Sequence, residues 1–393
     1  MAMTRSASEP DNPTPTDRPP LHVVPPMRTA AGTGSLQFME LGPLDLELGG
    51  RLESVTLAYR AWGQLNDQRD NAVLVVHALT GDSNAGGEDG WWGPLIGSGK
   101  AIDTDQVFVL CSNIVGGCQG STGPASLDPA TGRPYAMRFP LITIGDMVAA
   151  QRKLLARLGI ERVVVLGGSI GGFQVLDWAT RHPDMVAGAA CIAASGALGP
   201  QGIALNEAGR RAIMADPDWR GGDYAREGTT PASGLSIARM IAMVTYHSRE
   251  SMRDRFGRKP ASRPGIYPAF GDTFDVEGYI HYHGDALVRR FDSNAYLYLT
   301  RAMDLYDVAR DGGEARWLAE IAAPVLYVGI RSDWLFPPDE IRELADRTRA
   351  HGKDVAWGEL DSPHGHDAFL KEWEQMDAIL RPFVARTVPA MQS

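Results

Sequence analysis

Little in this chain points to a membrane, a metal or a nucleotide. No apolar run approaches the roughly 18 residues that a membrane span requires. Cysteine is scarce: Cys111, Cys118 and Cys191 are an odd number at no metal-ligand spacing. Cys111 and Cys191 fall in apolar strand-like runs and read as buried thiols, so a reducing cytoplasm is the expected compartment. No Gly-x-Gly-x-x-Gly opens a helix and no phosphate-loop sequence occurs, which argues against nucleotide redox cofactors and ATP. Positive charge is also short, with 38 Lys and Arg against 48 Asp and Glu, a net charge of -10. That balance argues against nucleic acid and anionic membranes as partners. Residues 1–34 contain no apolar signal segment, are rich in Pro, Ser, Thr and Asp, and are expected to be a disordered tail.

What is present is a repeating strand–helix rhythm. Leu52 to Trp62, Asn71 to Ala78 and Val107 to Ser112 read as strands, and Thr143-Ile-Gly-Asp146 caps a helix over Met147 to Leu158. Val186 to Ala194, Val325 to Ile330 and Val355 to Leu360 are further strands; Pro338 to Ala350 and Ala368 to Val384 are expected helices. Strands alternating with helices imply a mostly parallel sheet covered on both faces, an α/β protein. Between Ser195 and Ala323 the rhythm changes to helical spacing, as in Ile237, Met240, Ile241 and Val244. The organisation expected is a core over 35–195 and 323–388, interrupted by a helical lid over 196–322. A separate second domain is the alternative for that insertion.

The most informative stretch is Val163-Val-Val-Leu-Gly-Gly-Ser169-Ile-Gly-Gly172. An apolar β-branched run closed by Gly-x-Ser-x-Gly and continued by a helical segment places a serine on a sharp strand-to-helix turn. Gly167 and Gly171 leave room for that turn, and the helix N-terminus beyond it favours a developing oxyanion. Such a nucleophile needs a base and an orienting acid in the chain order Ser, acid, His. Asp333 directly follows a strand, and His366 lies in the loop after the last one. His364 rivals His366, and Asp361 and Asp339 rival Asp333. The second oxyanion donor is expected after the strand ending near Val76, as the N–H of Leu79, to pair with that of Ile170. His77 reads as structural. The pairs His281-Tyr-His283 and His364-Gly-His366 have no third ligand at a convincing spacing, so no metal is expected.

These residues resemble the homoserine O-acyltransferases, most often O-acetyltransferases, a branch of the α/β-hydrolase fold. The likeness runs from about Leu41 to Val384. It includes His77-Ala-Leu-Thr-Gly-Asp82, Gly90-Trp-Trp92, Gly120-Ser-Thr-Gly-Pro-Ala-Ser126, Asn206-Glu-Ala-Gly-Arg210, Phe256-Gly-Arg258, Tyr296-Leu-Tyr-Leu-Thr-Arg-Ala-Met-Asp304, Ser332-Asp-Trp-Leu-Phe-Pro337 and Gly365-His-Asp-Ala-Phe369. The resemblance implies a triad of Ser169, Asp333 and His366, with the amino-acid substrate held by Arg210 and Asp367. A guanidinium suits its carboxylate and a carboxylate its ammonium. It further implies ping-pong transfer from acyl-CoA, acetyl preferred, to homoserine, with no cofactor beyond that co-substrate, and a homodimer. Ile170 replaces the usual methionine, and the segment Ser195 to Leu205 departs from the common pattern. A succinyl donor, for which Arg331 would be the cation, a serine acceptor, and an esterase on the same triad remain alternatives.

Overall fold

Runs such as Ala72-Val-Leu-Val-Val76 and Val163-Val-Val-Leu166 carry apolar side chains on both faces. They can be satisfied only in the middle of a sheet covered on both sides. In the computed structural model, which describes residues 31–261, 274–310 and 312–388, that is where they lie. The main strands are β1 Gln37–Asp45, β2 Arg51–Gln64, β3 Ala72–Val76, β4 Phe108–Ser112, β5 Val163–Gly168, β6 Val186–Ile192, β7 Val325–Ile330 and β8 Val355–Leu360. Their order across the sheet is β1-β2-β4-β3-β5-β6-β7-β8. The six strands β3 to β8 run parallel, and β1 and β2 add an antiparallel edge.

Alternate residues feed two cores. Leu74, Val76, Val163 and Val165 face a layer that includes helices Ile144–Leu158 and Ile170–Arg181; Val73, Val75, Val164 and Leu166 face the layer closed by helix Trp373–Thr387. Thr143 caps the first helix as expected. Its Oγ1 accepts from the Asp146 amide at 3.1 Å, and Asp146 accepts from the Thr143 amide at 2.8 Å.

Two sequence expectations need correcting. Ala31–Thr33, assigned to the tail, is a ninth strand paired antiparallel with Trp62 to Gln64; residues 1–30 lie outside the described residues. The last helix does not start at Ala368. Gly365–Leu370 forms a short 3-10 turn, and the helix proper is Trp373–Thr387. His366 therefore sits in a tight turn before the helix rather than opening it.

Between β6 and β7 the chain is helical, with Pro200–Ala215, Ala232–Tyr246, Arg249–Arg255, Asp275–Val288, Ser293–Leu305 and Glu314–Glu320. Its buried residues Leu235, Tyr296, Leu299 and Tyr306 belong to the same apolar cluster as Leu74 and Phe173 of the sheet layer. The insertion thus packs on the sheet's own core. Among the described residues no helix is long and apolar enough to cross a membrane.

Candidate active site

Strand β5 ends in a backbone that only a crowded turn explains. Ser169 has φ 61° and ψ -126°, a conformation that a non-glycine residue adopts at a cost of order 1–3 kcal/mol. Two glycines make it possible. A Cβ on Gly167 would come within 2.4 Å of the Val76 side chain, and one on Gly171 within 2.5 Å of the Val76 carbonyl oxygen. The turn is tied to the neighbouring strand by the Ser169 amide, which donates to Ile192 O at 3.0 Å.

Two strands further on, β7 delivers Asp333. Its Oδ1 accepts from the amides of Leu335 and Phe336 at 2.9 and 3.0 Å, and its Oδ2 lies 2.6 Å from His366 Nδ1. The imidazole is packed between rings, with Phe336 stacked at 5.3 Å and Phe369 edge-on at 5.7 Å. Its Nε2 is buried and has no hydrogen-bond partner among the described residues. Burial by itself pushes the His366 pKa down. The charge and hydrogen bond of Asp333, with the charge of Asp367, outweigh burial and hold it above the usual 6.5. Ser169, His366 and Asp367 line one cleft of about 370 Å³ at the carboxyl edge of the sheet.

The rivals fall elsewhere. His364 is half-buried beside Glu372 at 3.9 Å, Asp361 is a surface residue paired with Arg331 at 2.6 Å, and Asp339 sits in the first turn of helix Pro338–Ala350. Arg331 is thereby committed to Asp361 and does not line the Ser169 cleft. His281 and His283 lie on helix Asp275–Val288, and no group of three or more metal-ligating side chains occurs among the described residues. Leu79 lines the cleft, and Ile170 is the first residue of its helix, where amides have no intrahelical partner. A second, smaller pocket of about 30 Å³ adjoins Ser169, lined by Leu79, Leu198, Leu205, Tyr296 and Met303 together with the polar Asn206 and Thr245.

The structure separates the two residues expected to hold substrate. Asp367 lines the cleft, 3.4 Å from Lys371 Nζ. Arg210 does not. It is buried on helix Pro200–Ala215, with Nη2 2.7 Å from Asp304 Oδ2 and 3.0 Å from Glu207 Oε2. A different guanidinium reaches the cleft: Arg239, on helix Ala232–Tyr246, lies 5.3 Å over the Tyr246 ring, its Nη1 3.4 Å from Thr80 Oγ1. Arg290 joins it at the cleft lining and donates to Thr80 O at 2.6 Å. Sequence reading missed both. Arg239 did leave a signal, as the one charged residue in a helix of 15 otherwise apolar, small or uncharged residues.

A mostly parallel sheet with a strained serine at one strand end, backed by a histidine and an aspartate from later strands, defines an α/β hydrolase. The family model described as the alpha/beta hydrolase fold matches residues 71–372. Within that fold, a homoserine O-acetyltransferase from Symbiobacterium thermophilum is 50% identical over 355 residues, covering 87% of this chain and 92% of that protein. The chain belongs to the homoserine O-acetyltransferase family. Among solved structures, homoserine O-acetyltransferase from Bacillus anthracis matches with TM-score 0.83 and 28% identity, over 90% of this chain and 98% of that one. Esterase E22 matches with TM-score 0.82 and 26% identity, over 89% and 99%.

Proposed function

We propose that this enzyme transfers the acetyl group of acetyl-CoA to the side-chain hydroxyl of L-homoserine through an acetyl-Ser169 intermediate. The observation that carries the reading is the 2.6 Å contact between buried Asp333 and His366, with His366 and a serine on a strained elbow lining one cleft. Relatives of this identity named homoserine O-acetyltransferase support it. His366 Nε2 takes the Ser169 proton as Oγ attacks the thioester carbonyl. The oxyanion is received by the amides of Leu79 and Ile170, and the thiolate of CoA leaves with the proton from His366. Homoserine then enters, its hydroxyl proton passes to Nε2, and its oxygen attacks the acyl-serine. Collapse returns the proton to Ser169 Oγ and releases the O-acetyl ester.

The acceptor is a zwitterion, and the cleft is lined by charges of both signs, Arg239 and Arg290 with Asp82, Asp89 and Asp367; we assign its carboxylate to Arg239 and its ammonium to Asp367, the neighbour of His366. We assign the cation to Arg239, which lines the cleft, in place of Arg210, whose Nε and Nη2 are engaged by Glu207 and Asp304 and whose Nη1 is buried without a partner among the described residues. The small pocket beside Ser169 suits an acetyl methyl, and no cation is among its lining residues to meet a succinyl carboxylate. The helical insertion acts as a lid that excludes water from the acyl-serine. The reaction needs no metal and no cofactor beyond the co-substrate. A cytoplasmic homodimer completes the reading, supported by the exposed Ile237, Val244 and Tyr282 on two adjoining helices of the insertion.

An esterase reading has one specific support, the close match to esterase E22. Steady-state turnover with acetyl- and succinyl-CoA, each against homoserine, serine and water, separates the readings. Acetyl transfer to homoserine should dominate. Hydrolysis that homoserine does not suppress would establish the esterase.

A further inference from the structure

His77 leaves strand β3 directly after Val76 and is almost fully buried, 3% exposed. Both of its ring nitrogens are engaged with backbone. Nδ1 lies 2.8 Å from the carbonyl oxygen of Ala78, and the Ile114 amide donates to Nε2 at 3.2 Å. A backbone N–H can only donate, so Nε2 is the bare nitrogen, and Nδ1 carries the hydrogen that it gives to Ala78 O. The ring is thereby fixed as one neutral tautomer. Burial, which pushes its pKa below the usual 6.5, keeps it neutral.

The carbonyl that His77 grips has a particular partner. Ala78 C=O and Leu79 N–H are the two ends of one planar trans peptide and point in opposite directions. Holding the oxygen from the core side directs the hydrogen the other way. The Gly81 amide donates to the same oxygen at 2.9 Å, so this peptide is held twice. Leu79 lines both the cleft and the small pocket beside Ser169. The loop also abuts the elbow: a Cβ on Gly171 would meet the carbonyl oxygens of Val76 at 2.5 Å and His77 at 3.3 Å.

We propose that His77 is a positioning residue for the oxyanion hole: by holding Ala78 O it aims the Leu79 amide at the acyl oxygen on Ser169. The inference rests on the acyl-transfer reading above. A neutral imidazole suits the task because it presents a donor and an acceptor on opposite edges of one rigid ring. Asparagine can keep a donor near the Nδ1 position but loses the acceptor for Ile114. Glutamine reaches the Nε2 position but loses the grip on Ala78.

The test compares His77→Leu, His77→Asn and His77→Gln. Both half-reactions pass through an oxyanion, so His77→Leu should slow acetylation by acetyl-CoA and transfer to homoserine by the same factor. That factor is about 10- to 100-fold, below the roughly 10²- to 10³-fold loss for outright removal of an oxyanion donor, because the amide is misaimed and not removed. KM for acetyl-CoA should stay near wild type. Affinity for methylboronic acid, which forms a tetrahedral anionic adduct with the serine, should fall in parallel. His77→Asn should recover most of both, and His77→Gln little of either. Equal behaviour of Asn and Gln, or activity that follows the folded fraction while boronate affinity stays at wild type, would overturn the proposal. If the Leu variant does not fold, the Asn and Gln pair decides. Wild-type protein that forms no acetyl-Ser169 adduct would instead overturn the reading beneath it, so the two failures are distinguishable.

Discussion

On the sheet side of the cleft, Ser169, Asp333 and His366 follow the ends of β5, β7 and β8, and backbone hydrogen bonds set their positions. On the other side, Arg239 stands on a helix of the insertion and is placed by contacts between side chains, over the Tyr246 ring and near Thr80. The first arrangement is rigid, because moving Asp333 means breaking two amide contacts and the imidazole bond together. The second can be retuned one side chain at a time. In the proposed mechanism bond-making falls to the sheet and choice of acceptor to the insertion. Arg210 sharpens the contrast: it belongs to the same insertion, yet it is committed to a buried ion pair with Asp304.

The largest effect should come from removing the nucleophile. Ser169→Ala should form no acetyl adduct on incubation with acetyl-CoA alone, whereas the wild-type mass should rise by one acetyl group. An adduct in the variant would move the chemistry away from the sheet edge. Next in size is Asp333→Asn, which leaves the imidazole without its anionic partner and frees its tautomer. Rapid-quench measurement should show both half-reactions slowed by about 10⁴-fold, as for other triads of this kind. Loss from one half-reaction alone would mean that Asp333 serves something other than the shared base.

Smaller, and more telling for the comparison, is the pair of arginines. Arg239→Leu should spare acetylation and slow transfer to homoserine by about 10²-fold, the loss of a bidentate charge-assisted contact. Arg210→Met should do the reverse: little change in either half-reaction, but a folding stability lower by up to roughly 3–5 kcal/mol, because buried Asp304 loses its nearest cation and keeps only Asn206 and, at 3.9 Å, Arg301. Denaturant titration measures the second effect. If the roles were exchanged, the structural reading of these arginines would fail.

The smallest effect is on pH dependence. In the proposed mechanism His366 acts as a base when neutral, and Asp333 and Asp367 hold its pKa above 6.5 against burial. Acetylation should therefore rise with pH through a midpoint above that value. Asp367→Asn removes one of the raising charges, so the midpoint should move down. An unchanged or higher midpoint would show that Asp367 does not face the imidazole. The sign for stability runs the other way from the rate. A raised folded pKa contributes stability that is full below 6.5 and is lost as pH climbs through the folded value.

The sheet side could be read in one dimension because its chemistry is tied to local signals. A β-branched run, two small residues around Ser169, and an aspartate and a histidine just after strands are all short-range features. Thr143 and Asp146 marked a helix start in the same way. The insertion could not be read so far. A buried arginine facing an acid and an arginine lining a cleft look alike in sequence, and only packing distinguishes Arg210 from Arg239. The motif Asn206 to Arg210 drew attention to the former, although Asn206 donates to Asp304 at 2.8 Å and belongs to that same buried cluster. Ala31–Thr33 is not legible because a three-residue edge strand carries no periodicity, and the break after Leu370 because the side chains that hold its turn, Ser332 and Trp92, are distant in sequence.

The division of labour is tested most directly by the fate of the acetyl group in Arg239→Leu. The variant is loaded from acetyl-CoA, homoserine is added, and acetyl-enzyme, free acetate and O-acetylhomoserine are counted over time. Loading should match wild type while the product ratio shifts from O-acetylhomoserine towards acetate. Loading slowed as much as transfer, with the product ratio unchanged, would contradict an insertion that selects the acceptor and leaves the chemistry to the sheet.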